Sequence, residues 1–160
     1  MDNLGEYLSL KSVAACGGSF MAPADMVLRE DWEGIAARCR RCMDVSLGFE
    51  LLHVGINHDD ARSAMETAGR LKALFRQKTE RDGGKSVFGG PGVECMKMPY
   101  FGEKGHIAYA TRSAERALAY FRRNGIPVME ETLKRNASGR LEFFYLQEQI
   151  GGFAVHVAER

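Results

Sequence analysis

Little in this chain points to a membrane, to nucleic acid or to a disulfide scaffold. No apolar run approaches the roughly 18 residues needed to span a bilayer, and the first residues lack the apolar core of a secretion signal. The charge has no strong sign: 22 basic against 21 acidic residues leave a formal net charge of +1. That excludes the electrostatic footprint of a nucleic-acid binder, and no membrane partner is expected either. The basic cluster Arg38, Arg40 and Arg41 runs into Asp44 and reads as the wet side of a helix. Four cysteines in 160 residues, Cys16, Cys39, Cys42 and Cys95, make no dense framework. Free thiols of a cytoplasmic protein are expected. Cys39-Arg-Arg-Cys42 has redox spacing, yet both thiols fall on the apolar stripe of a helix and are expected to pack there.

What the chain does have is an internal repeat. His53-Val54-Gly55-Ile56 precedes a helical pattern from Ala61, and His106-Ile107-Ala108-Tyr109 precedes another from Ala114. The histidines and the first helical alanines share a displacement of 53 positions, as do the pairs Ala64/Ala117, Met65/Leu118 and Ala68/Phe121. A displacement that preserves both strand and helix phase marks a duplicated supersecondary unit.

Taken in order, residues 4–8 predict one or two helical turns, and Val13 to Cys16 a short strand broken by Gly17-Gly18-Ser19. Pro23 suits a helix start. Asp31 caps a helix whose apolar face is Trp32, Ile35, Ala36, Cys39, Cys42 and Met43, and Gly48 ends it. From Phe49 the period becomes two, with Phe49, Leu51, His53 and Gly55 on one side. A helix follows with Ala61, Ala64, Met65, Ala68, Leu71 and Phe75 on one face. Residues 77–81 and 85–89 predict a hairpin, and residues 93–98 a fourth strand. The second unit repeats this as strand 105–111, helix 114–124, and strands 127–134, 140–147 and 153–158. Its longer hairpin displaces the fourth strand by 62 positions, setting Glu94 against His156. His58 reads as a solvated residue near a helix start.

Three of the four histidines therefore sit on strands of the duplication. Each unit offers an imidazole from its first strand, His53 or His106, and a ligand-type side chain from its fourth, Glu94 or His156. Three imidazoles and a carboxylate suit a divalent ion such as Zn, Ni, Co, Mn or Fe, with positions left for water or two substrate oxygens. The spacing is too open for any linear motif, so the expectation rests on the repeat.

The same residues carry a resemblance. The βαβββ duplication with His53-Val54-Gly55-Ile56, His106-Ile107-Ala108 and the Gly-Gly-Phe-Ala-Val-His run ending at His156 resembles the vicinal oxygen chelate (glyoxalase-like) superfamily. It implies an α+β fold of paired βαβββ units over residues 49–160, with metal ligands at these strand positions. Glu94 in Gly-Val-Glu-Cys-Met matches the first unit's final-strand ligand, while His156 stands where the superfamily usually has glutamate.

Residues 1–48 are expected to be a helical appendage. Val13-Ala14-Ala15-Cys16-Gly17-Gly18-Ser19-Phe20-Met21, Pro23 and Asp31-Trp32 resemble the last βα segment of class I aldolases for 2-keto-3-deoxy-6-phosphogluconate and 4-hydroxy-2-oxoglutarate. That resemblance implies a phosphate-binding role for Gly18 and Ser19, where the residues alone read as a turn. Some members continue into a glyoxalase-like domain, so the chain is similar to the C-terminal part of such a fusion. The family's Schiff-base lysine and catalytic glutamate lie on earlier strands, and Lys11 is not at the matching place. The chain is thus expected to be a fragment or shortened product without imine chemistry. The implied function is a metal-dependent module of a pyruvate-forming lyase family, promoting enolisation or isomerisation of a small 2-oxo acid. The alternatives are a non-catalytic ligand-binding or homodimerising module on the aldolase barrel, or metal-dependent dioxygenase chemistry. Tyr100 and Phe101 are expected at a cleft mouth or as an interdomain plug, and Met96 and Met98 beside Glu94.

Overall fold

The computed structural model describes residues 3–10, 12–78 and 82–160. Lys11 and most of the hairpin strand expected at 77–81 lie outside them. The chain divides into two compact units, Met1–Phe49 and Glu50–Arg160.

The first unit is helical: α1 (Leu4–Ser9), α2 (Ala24–Leu28) and α3 (Trp32–Leu47). The Asp31 side chain accepts from the Gly34 N–H at the start of α3, and Gly48 closes it in the left-handed conformation. Leu4, Leu8 and Cys42 form the core with Cys16, Phe20, Met21 and Val45. Two expectations are corrected here. Val13 to Cys16 form no strand, since no other described residue of this unit offers a ladder. The apolar stripe of α3 is also only partly covered: Cys42 is buried, but Trp32 and Cys39 are exposed. A unit this small buries too little surface to cover a whole helix face.

The second unit is α+β, as the duplication requires. Its order is β1 (Glu50–Ile56), α4 (Ala61–Phe75), β2 (Ser86–Gly90), β3 (Val93–Met96), β4 (Gly105–Thr111), α5 (Ala114–Arg123), β5 (Val128–Arg135), β6 (Leu141–Ile150) and β7 (Phe153–Glu159). The seven strands make one mixed sheet in the order β2-β3-β1-β4-β7-β6-β5. Asp82, expected in the turn of the first repeat's hairpin, forms a single antiparallel bridge to Val87.

The register makes the duplication concrete. β1 pairs in parallel with β3, setting Val54 beside Val93 and Gly55 beside Glu94. β4 pairs in parallel with β7, setting Ile107 beside Val155 and Ala108 beside His156. Both displacements read from the sequence, 53 and 62, reappear as hydrogen-bonded partners. Between the halves β1 and β4 run antiparallel, with His53 opposite Ala108 and Gly55 opposite His106. Exchange of the two halves maps one of these pairs onto the other.

Both helices pack on the face opposite the histidines. Ala64 and Ala68 of α4 pack with Val87 and Cys95, which alternate with Phe88 and Glu94. Phe121 of α5 meets Phe144, the neighbour of Tyr145, at 6.0 Å between ring centroids. Asp60 and Ser113 cap these helices, accepting from the Ser63 and Arg116 N–H groups. The expected face of α4 is too wide, because Met65 and Phe75 are exposed. The simple alternation of β1 also fails at its start. A bulge between Leu51 and His53 pairs Leu51 with Tyr109, which turns it to the face away from the histidines.

Candidate metal centre

Four strands bring His53, Glu94, His106 and His156 to one face of the sheet. In each half the parallel partner of the first strand supplies the second group, so Glu94 and His156 lie just outside the central histidines. His53 Nε2 lies 3.0 Å from His106 Nε2. Glu94 Oε2 is 3.1 Å from each of those nitrogens. The candidate ligand atoms of His53, His106 and His156 all lie within 4.8 Å of one another.

Small residues make this approach possible. A Cβ on Gly55 would collide with the His106 ring. Its counterpart in the other half, Ala108, is fully buried opposite His53. Glycine and alanine at these two places leave the space that the imidazoles occupy.

The triangle of two nitrogens and one oxygen does not suit protons alone. If both Nε2 atoms carry hydrogen, two donors face each other; if one does not, its bare lone pair faces a carboxylate oxygen. One of the three contacts is repulsive in either case. A cation among them makes all three atoms ligands. Two donors about 2.1 Å from an ion and at right angles lie about 3.0 Å apart, and opposite donors about 4.2 Å. The triangle therefore has the edges of a coordination sphere, and the His156 ligand atom lies within 4.8 Å of those of His53 and His106. The donor chemistry fits a borderline divalent ion.

The electrostatics agree. Burial opposes ionisation of Glu94, yet hydrogen bonds from His106, His53 and Ser86 outweigh it and hold the carboxyl below the usual range. Burial, with the neighbouring His106 and His53, pushes His156 down to about 3, so its imidazole is neutral at neutral pH. An ionised carboxylate and a neutral imidazole are the forms that bind metal.

The walls are aromatic. Phe88 meets His53 edge-on at 5.8 Å. Phe143 and Tyr145 lie 4.6 and 5.0 Å from His156. Burial raises the Tyr145 phenol above its ordinary range, so it remains protonated. Phe101 lies 4.8 Å from Tyr145 and 4.8 Å from Tyr100. Asn57 holds this loop by donating to the Tyr100 and Gly102 carbonyls and accepting from the Tyr100 N–H. Tyr100 and Phe101 thus extend the wall. Met96 is buried beyond Glu94, whereas Met98 is exposed past the strand end. His58 is corrected from a solvated residue: it contacts the Ile56 carbonyl and the Thr67 hydroxyl, at 3.1 and 2.9 Å. Gly18 and Ser19 stand exposed in a loop before α2, whose five residues are too short for a developed helix dipole.

Ser86 and the aromatic pair Phe143 and Tyr145 went unread in the sequence. The strand register that aligns Ser86 with Met96, two pairs from Phe88 and Glu94 and so on the same face, is what places Ser86 at the site.

No protein-family model matches the chain, and no curated protein does. Among solved structures, a Streptomyces coelicolor methylmalonyl-CoA epimerase variant bound to 2-nitronate-propionyl-CoA is 16% identical, with 68% of this chain and 95% of that chain covered and a TM-score of 0.47. A hypothetical protein from Bacillus halodurans is 16% identical, with 70% and 94% covered and a TM-score of 0.47. Methylmalonyl-CoA epimerase from Mycobacterium tuberculosis is 16% identical, with 68% and 86% covered and a TM-score of 0.45. These are distant likenesses of chain path, and the chemistry of the site rests on its own residues.

Proposed function

We propose that residues 49–160 are a divalent-metal module of the glyoxalase-like kind, with His53, Glu94, His106 and His156 as ligands. In this reading it promotes enolisation or isomerisation of a small pyruvate-like 2-oxo acid. The observation that carries it is the triangle of His53 Nε2, His106 Nε2 and Glu94 Oε2, with sides of 3.0, 3.1 and 3.1 Å. A bound divalent ion supplies Lewis-acid stabilisation of negative charge on a carbonyl oxygen. The chain's own contribution is to hold the site dry and correctly charged. Phe88, Phe143 and Tyr145 exclude water from its flanks. Glu94 stays ionised and His156 stays neutral, the forms in which each can offer a lone pair to an ion. The connection to a carbon–carbon lyase is carried by the resemblance of residues 1–48 to an aldolase segment.

The test is deuterium exchange at the pyruvate methyl group, followed by NMR in deuterated water. Exchange that needs both the chain and added metal, and that disappears in Glu94→Ala, is expected. Exchange no faster than with metal alone would overturn the enzymatic reading.

A homodimerising role is favoured by a separate observation. Leu51 and Tyr109 are partners across β1 and β4 on the face away from the histidines, and they are 60% and 38% exposed. Sedimentation of the chain and of Leu51→Glu separates this from a monomeric enzyme.

A further inference from the structure

A glutamate ligand can bind an ion through one oxygen or both. The surroundings of Glu94 distinguish its two oxygens. Oε2 lies 3.1 Å from the Nε2 atoms of His53 and His106. Oε1 accepts a short hydrogen bond from the Ser86 hydroxyl. Ser86 is 8% exposed and sits on β2 opposite Met96, two pairs along from Phe88–Glu94. The hydroxyl and carboxylate are therefore diagonal neighbours on one sheet face, within side-chain reach.

The other half holds the matching place differently. Phe143 pairs with Ala158 as Ser86 pairs with Met96, and it packs 4.6 Å from the His156 ring. The outer-strand carboxylate is accompanied by a hydroxyl, and the outer-strand imidazole by an aromatic ring. A carboxylate has a second oxygen to occupy, whereas the imidazole packs against an aromatic ring tilted by 40°. The imidazoles have less orientation of this kind, since Nδ1 of His106 and of His156 are buried without a hydrogen-bond partner among the described residues.

We propose that Ser86 is a positioning residue that occupies Glu94 Oε1 and so restricts Glu94 to binding metal through Oε2 alone. This rests on the metal reading above. It makes each of the four ligands a one-atom donor. A six-coordinate ion then keeps two positions for a pair of substrate oxygens, where a two-oxygen glutamate would leave one.

The experiment uses Co²⁺ with the full chain, Ser86→Ala and Ser86→Thr. Ser86→Ala is expected to bind Co²⁺ about 10- to 100-fold more weakly. Its visible d–d bands should also change in position and intensity as the carboxylate turns to offer both oxygens. Ser86→Thr keeps the hydroxyl and should restore both affinity and spectrum. Urea unfolding of the metal-free forms checks that Ser86→Ala is folded, and Ser86→Gly, which also lacks the hydroxyl, carries the test if it is not. Tight Co²⁺ binding with an unchanged spectrum in Ser86→Ala would overturn this proposal alone. A threonine variant that is folded but spectrally like no parent form would also overturn it. Absence of Co²⁺ binding by the unsubstituted chain would overturn the metal reading, and this proposal with it.

Discussion

The two halves of the sheet domain share one register and surround their candidate ligands in opposite ways. In the first half the outer-strand group is a carboxylate, hydrogen-bonded by Ser86 and approached by His53 and His106. In the second it is an imidazole walled by Phe143 and Tyr145 and kept neutral by burial. The helices differ as well: Leu118 of α5 is buried, while its counterpart Met65 on α4 is 54% exposed. Duplication conserved the backbone geometry that aims four side chains at one place. The side chains around each ligand then follow that ligand's chemistry, with polar partners for an anion and apolar ones for a neutral ring.

Removing ligands from either half tests whether the halves act as one site. Glu94→Ala takes away the charged ligand and His156→Ala a neutral one. Each should weaken divalent-metal binding by on the order of a hundredfold or more, beyond the usual effect of an orienting neighbour. Glu94→Ala should cost more, because the anion offsets ionic charge. Calorimetric titration of both variants gives the ranking, and equal small losses would mean the two strands do not share an ion.

Acid should separate the halves in the metal-free chain. His156 titrates at about 3 in the fold against 6.5 for a free imidazole, so the unfolded chain binds its proton first. That contribution to stability is complete above about 6.5 and is lost as pH falls from there toward 3. Glu94 is also held below its ordinary value of 4.5, so its contribution is lost at lower pH, beginning near 4.5. Urea midpoints measured against pH should decline in two stages. His156→Phe should remove the earlier stage and Glu94→Gln the later one.

Crowding at the centre gives a smaller effect. Gly55→Ala places a methyl against the buried His106 ring and should destabilise the fold by about 1–3 kcal/mol, measured by chemical unfolding. The smallest effect lies far from the ligands. Ser113→Ala removes the side chain that caps α5 and should cost about 1 kcal/mol, with metal affinity unchanged.

Much of this domain was legible because its sequence states one pattern twice. The alternation in β4 and β7, the stop at Gly125 and the Gly151-Gly152 turn are local signals, and the structure follows them. The convergence of His53, His106 and His156, with Glu94 beside them, follows from displacements that survive as strand register. The bulge at Leu51 was not legible, since it is set by pairing with Tyr109 rather than by residue type. Residues 13–16 have the composition of a strand, but no other described residue of their unit forms a strand to pair with, so the pattern had nothing to act on. Met65 and Phe75 fit a helical stripe wider than the surface that β2 and β3 offer to α4. Ser86 is one serine on a short strand; a diagonal contact across β2 and β3 gives it a role, and no spacing within the chain announces that contact.

The central claim is that side chains from both halves hold a single ion. Equilibrium dialysis against Zn²⁺, followed by elemental analysis, tests it on the intact chain and on the His53→Ala/His156→Ala double variant, which loses one ligand from each half. The account predicts one ion per chain in the former and almost none in the latter. Equal metal content in the two, or none in the intact chain, would contradict it.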